Sequence, residues 1–270
     1  MKIIDLIHRL PVASYFLMVY IIAWGGCILG VGAKFMDGIE LELNDALPIV
    51  IFMLGAPSLV GLAWTYICDG KQGLRDLFSR MKKWKVPGRW YATLLIFPVL
   101  ILIVLILLSL LVTPDLSPTF FSFGILMGLL AGFLEEIGWT GFAYPKMRMR
   151  LSFLRAGIYL GLIHALWHSI AYFLSSYNSF GGNWLPYFTG FFVFLVALRI
   201  IIAWVYENTG SVLLTQLMHA SSTGFLAILV PSINSNETWP IFYAVYAIGL
   251  WLVAGFIIMR NEKKLVNQPA

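Results

Sequence analysis

Residues 94–112 read LLIFPVLILIVLILLSLLV, nineteen positions without a charge. At the helical rise such a run covers roughly 28 Å, close to the hydrocarbon thickness of a bilayer. It is continuous rather than alternating, so it is not a barrel strand, and in lipid only a helix or a closed barrel satisfies every backbone polar group. Working outward, eight segments long enough to cross a membrane fall at approximately 12–33, 47–68, 90–113, 119–144, 156–176, 187–206, 211–231 and 239–259. Sixty per cent of the 270 residues are apolar and 11% are charged, against roughly 45–50% and 25% in soluble domains. The expected fold is all-α: a single transmembrane domain over residues 1–270, a polytopic bundle of about eight helices.

The first segment follows Lys2 and Arg9, as a signal peptide would, but its apolar stretch exceeds the roughly 7–15 residues of a signal core and reads as a retained span. Residues 1–10, apolar at Ile3, Ile4, Leu6, Ile7 and Leu10 and stopped by Pro11, fit a short interfacial helix. Once the spans are drawn, all of the 18 lysines and arginines except Lys34 and Arg199 fall on one side. The positive-inside rule places that side, and with it the N- and C-termini, in the cytoplasm. Missing trafficking signals and compact loops point to a bacterial plasma membrane. The net charge of +5 then reflects orientation and attraction to anionic membrane lipids, and it needs no nucleic-acid partner. Cys27 and Cys68 lie toward opposite ends of the first two spans, too far apart for a disulfide.

Lipid excludes ionisable side chains, at a cost of at least about 2.5 kcal/mol each on insertion scales, so each one inside a span needs an explanation. There are six: Glu135, Glu136, His164, His168, Arg199 and His219. Counted from the cytoplasmic ends of their spans, all lie roughly 10–18 Å deep. Four helices thus bring ionisable groups to one level, as in a water-accessible cavity open toward the cytoplasm. Any one of them taken alone is as well explained as glue between helices. Glu135 and Glu136 project about 100° apart, so one faces the chemistry and the other a supporting partner. A buried carboxylate suits general-base activation of water, and imidazoles can orient that water or stabilise an oxyanion. His164 and His168 share a helix face like paired metal ligands, but HALWH lacks the glutamate of HExxH. A divalent metal such as zinc, with His168, His219 and Glu135 as candidate ligands, is compatible with the sequence but not required by it. No G-x-S-x-G elbow and no cysteine accompanies the band, which favours activated water over a covalent nucleophile.

Three stretches resemble the motifs of the intramembrane proteases that include CAAX prenyl endopeptidases and bacteriocin-processing proteins. EEIGWTGFAYPKM, from Glu135, resembles a first motif with two glutamates and an arginine four residues after the second. LIHALWHSI resembles a second, an aromatic four residues before a histidine, which is matched by His168. GSVLLTQLMHASSTG resembles a third, a histidine followed four residues later by Asn or Asp, with His219 matching the histidine. The family-like core covers about residues 119–225. The resemblance implies an eight-helix bundle and endoproteolysis at the membrane, on a peptide or protein substrate whose prenylation it leaves open. It implies Glu135 as the base, Glu136 as its companion, and His168 and His219 as groups that position water or stabilise the oxyanion. Three positions depart from the pattern: Thr140 replaces the arginine, His164 the aromatic and Thr223 the Asn or Asp. Arg199 is placed to supply the missing charge from another helix, and Thr223 keeps a hydroxyl donor.

Two other functions fit the same residues. One is a non-catalytic relative acting in bacteriocin self-immunity or as a membrane scaffold; the other is an ion-coupled transporter using the carboxylates and histidines as a relay. Elsewhere, Gly124, Gly128 and Gly132 make small-xxx-small patterns suited to close helix packing. Trp90, Trp184, Tyr187, Trp204, Tyr206 and Trp239 stand near span ends, as interfacial anchors do.

Overall fold

The computed structural model describes residues 3–39, 41, 43–231 and 238–266. Expectations resting on Lys2, Glu40, Glu42, Lys263 and Lys264 lie outside the described residues or side chains. A short helix, α1 (Ile3–Arg9), ends at the Pro11 boundary, and α2 (Pro11–Met36) follows it. The other elements are α3 (Ala46–Met81), α4 (Arg89–Ala92), α5 (Ile96–Leu111), α6 (Phe123–Gly138), α7 (Tyr144–Arg148), α8 (Phe153–Phe180), α9 (Trp184–Thr209), α10 (Val212–Leu229) and α11 (Thr238–Val266). No strand occurs among the described residues.

Seven stretches are long and apolar enough to cross a membrane, one of them the 57-residue run Phe153–Thr209. That run is more than twice the length a bilayer core needs at about 1.5 Å per residue. It folds back at Gly181, whose φ of +52° suits glycine alone. The result is an antiparallel pair, with Gly157 of α8 against Ile200 of α9 and Gly161 against Val196. The polytopic helical bundle is as expected from the apolar runs.

Two differences have physical causes. Residues beyond 68, expected as a connection, continue α3 to Met81 after a kink at Gly70, where φ is +64°. The glycine turns a helix too long for the bilayer, so its last turns carry Lys71, Arg75 and Arg80 beyond the apolar part. The expected span 119–144 is instead α6, then a π-helix over Trp139–Ala143, then α7. A wide turn of this kind is common at functional sites. Here it falls between Glu136 and Pro145, whose ring and missing N–H disfavour an uninterrupted α-ladder.

The glycines set how closely the helices approach the glutamates. A Cβ on Gly124 would stand 2.7 Å from the backbone of Ile228, and one on Gly128 would stand 2.5 Å from Gly224 Cα, so α6 lies directly on α10. On the other flank, a Cβ on Gly61 would come within 2.8 Å of Gly138 Cα, which brings α3 against α6 just past the pair. Ser58 Oγ donates there to the Leu134 carbonyl. The expected anchors do lie at helix ends, but Trp90 is buried and packs edge-on against Trp204, with centroids 4.8 Å apart. Tyr187 and Trp239 likewise join an aromatic cluster inside the bundle.

Candidate active site

All six intramembrane ionisable residues converge. Glu135 and Glu136 come from α6, His164 and His168 from α8, Arg199 from α9 and His219 from α10. The two carboxylates have separate surroundings, as their angular offset requires. Glu136 is fully buried: its Oε1 accepts from Arg199 Nη1 at 2.5 Å and from His219 Nδ1 at 2.8 Å, and its Oε2 accepts from Thr140 Oγ1. A carboxylate with both oxygens so engaged is a fixed anion. Glu135 instead borders a cavity, and its Oε2 accepts from Trp139 Nε1 at 3.2 Å and from His164 Nε2 at 3.0 Å.

The hydrogen-bond network assigns the imidazole tautomers, because arginine has no acceptor. Arg199 Nε donates to His164 Nδ1 at 2.8 Å, so Nδ1 is bare and Nε2 carries the proton donated to Glu135. His219 Nδ1 lies closer to Glu136 Oε1, at 2.8 Å, than to Arg199 Nη2, at 3.4 Å, and donates to the carboxylate. Its Nε2, 4.0 Å from Glu135 Oε2, is then left as an acceptor. One guanidinium therefore orients both glutamates, Glu136 directly and Glu135 through His164.

The cavity holds about 260 Å³ and is lined by Glu135, His168, His219 and Thr223, with Tyr172, Phe191, Phe194, Trp239 and Tyr243 among its aromatic walls. Thr140, His164, Arg199 and Glu136 are absent from this lining and stand behind it. Sequence reasoning missed Trp139, although its position four residues after Glu135 places it on the same helix face. It also missed the aromatic walls, which one-dimensional spacing cannot bring together. Arg80 was counted only as an inside charge, yet it donates to the Gly141 carbonyl at 2.9 Å and to Tyr206 Oη at 2.7 Å. These contacts tie α3 and α9 to the π-helix on the basic side, where Arg80 and Gly141 line a separate pocket of about 450 Å³. The lining of the glutamate cavity itself extends the other way, toward Val230 and Trp239, rather than toward the basic side expected from the sequence.

Oxygen and nitrogen atoms of Glu135, His164 and His168 lie within 4.8 Å of one another, a spacing that invites a test for a metal. His164 fits that role poorly. A metal on Nε2 would move the ring proton to Nδ1, against the N–H of Arg199. The Arg199 guanidinium, bonded to the other nitrogen of His164, also adds a positive charge behind that ligand, which opposes a dication on its Nε2.

Comparison with known proteins bears out the resemblance over the same part of the chain. Residues 117–225 match the family described as type II CAAX prenyl endopeptidase Rce1-like. A CAAX prenyl protease 2 from Methanococcus maripaludis is 33% identical over 95 residues, covering 34% of this chain and 35% of that protein. The match thus spans about a third of the relative's length. Every residue of the converging cluster lies inside 117–225; Arg80 does not.

Proposed function

Proceeding from the Rce1-like character of residues 117–225, we propose that this protein is a membrane endopeptidase that hydrolyses a peptide bond with water activated by Glu135. The observation that carries the reading is the division of labour between adjacent carboxylates. Glu136 is locked by Arg199, His219 and Thr140, while Glu135 meets the cavity. In the reaction, Glu135 takes a proton from water, and the water oxygen adds to the carbonyl carbon. On the cavity wall, His219 Nε2 accepts from the water, while His168 and Thr223 face the developing oxyanion. Glu135 then returns the proton to the leaving nitrogen as the C–N bond breaks, giving an amine and a carboxylate. The donor set supports a metal-free route, and no step draws on a cation. We extend the relative's printed substrate class to this chain and take the substrate to be a peptide or protein bearing a prenyl group, delivered within the membrane.

The test is cleavage of prenylated and unprenylated peptide panels by purified protein, followed by mass spectrometry, beside His168→Ala and His219→Ala. Cleavage of the prenylated panel that falls at least about a hundredfold in both variants is expected. If the wild type cleaves neither panel under conditions where it is folded, the Thr140 and Thr223 departures mark a non-catalytic relative and the protease reading fails.

A further inference from the structure

Separate from the glutamate cavity, α1, the start of α2, α7 and the first turns of α8 line a second cavity of about 630 Å³. Its lining has two characters. His8, Arg9, Lys146 and Arg150 are basic, while Leu10, Val12, Phe16, Tyr159 and Ile163 are predominantly apolar. Lys146 is answered by Asp69 at 2.7 Å. Arg9 and Arg150 are exposed and form no salt bridge among the described residues. Each sits beside the end of a long apolar helix: Arg9 closes α1 just before α2, and Arg150 lies in the turn between α7 and α8. The ends of helices long enough to cross a bilayer stand at the level of its headgroups. Met149 and Tyr159, 78% and 48% exposed, leave the apolar wall open sideways.

We propose that this cavity is a site for one anionic glycerophospholipid, its phosphate held between Arg9 and Arg150 and an acyl chain lying along Leu10, Phe16 and Ile163. An occupant must answer both characters at once. Free phosphate would leave the apolar wall wet, and a zwitterionic lipid would bring its own cation up against two guanidinium groups. Guanidinium suits a phosphate because its planar donors meet two oxygens together. An acidic peptide matches the charge but not an apolar wall that faces lipid. The site is independent of the proteolytic reading, since none of its residues touches the glutamate cavity.

Native mass spectrometry of the full chain tests it, with phosphatidylglycerol or phosphatidylcholine of identical acyl chains and with inorganic phosphate and an acidic peptide as competitors. The Arg9→Ala/Arg150→Ala variant is compared with Lys71→Ala/Arg75→Ala, an equal charge change on exposed positions of the same basic side. The wild type should retain phosphatidylglycerol at least about fivefold over phosphatidylcholine, and the first pair should lose that preference while the second keeps it. Equal retention of the two lipids, or equal loss in both variants, would overturn a defined site in favour of diffuse attraction. Displacement of the lipid by inorganic phosphate or by the peptide would overturn the lipid as the occupant.

Discussion

Arg199 Nη1 meets Glu136 Oε1 at 2.5 Å across 63 positions of sequence, in a place where both side chains are buried. The related motif carries its arginine one helical turn after the second glutamate, where this chain has Thr140. In this chain the charge comes from α9 instead, and Thr140 is bonded to the same carboxylate.

Removing the arginine strands a buried anion. Arg199→Met should cost about 3–5 kcal/mol of stability, as breaking a buried pair from one side does. Because Thr140 already reaches Glu136, Thr140→Arg should recover part of that loss when combined with Arg199→Met. Denaturant titrations of the single and double variants measure the coupling. A double variant no more stable than Arg199→Met would refute the exchange.

Thr223 lines the cavity where the family pattern has an amide or acid. If its hydroxyl contributes to the oxyanion contact, Thr223→Val should lower kcat about a hundredfold with little change in KM, the signature of a donor used in the transition state. Thr223→Asn, with longer reach, should match or exceed the wild type. Steady-state kinetics on one peptide separate these outcomes, and equal kcat for the valine variant and wild type would remove Thr223 from the chemistry.

The cavity extends toward Val230 and Trp239, while Arg80, Gly141 and Tyr206 meet on the basic side. With Cys27 and Cys68 replaced by alanine, Ala227→Cys should react with a membrane-impermeant maleimide from the face opposite to the one that labels Lys82→Cys. Labelling of both from one face would contradict the direction assigned to the cavity.

His164 is held by Arg199 on one nitrogen and by Glu135 on the other. Cleavage should therefore persist in excess chelator, with kcat/KM changed less than about twofold. Loss of activity restored by zinc would show that the tautomer assignment fails in the working enzyme.

Much of this was legible in the sequence because lipid penalises exceptions. Apolar runs such as 94–112 mark helices, and an ionisable residue inside one announces itself, so Glu135, Glu136, His164, His168, Arg199 and His219 could be named from depth alone. Glycine spacing at 124, 128 and 132 likewise marked a face for close helix packing, and the structure sets α10 against it. The sequence was silent where a property depends on the third dimension. The side of the site on which the cavity lies follows from where its aromatic walls meet, and these come from residues as far apart in sequence as Tyr172 and Tyr243. The π-helix at Trp139–Ala143 leaves no periodic signature in so apolar a stretch. Which glutamate faces the cavity depends on partners drawn from three other helices.

The sharpest test of the account compares Glu135→Gln with Glu136→Gln, assaying peptide cleavage and stability on the same preparations. Glu135→Gln should lose at least about a hundredfold in kcat while unfolding close to the wild type, since an amide can still accept from Trp139 and His164. Glu136→Gln should lose about 3–5 kcal/mol of stability, because Arg199 is left without its anion. The opposite pattern, with cleavage surviving Glu135→Gln or stability unaffected by Glu136→Gln, would contradict the assignment of one carboxylate to water and the other to Arg199.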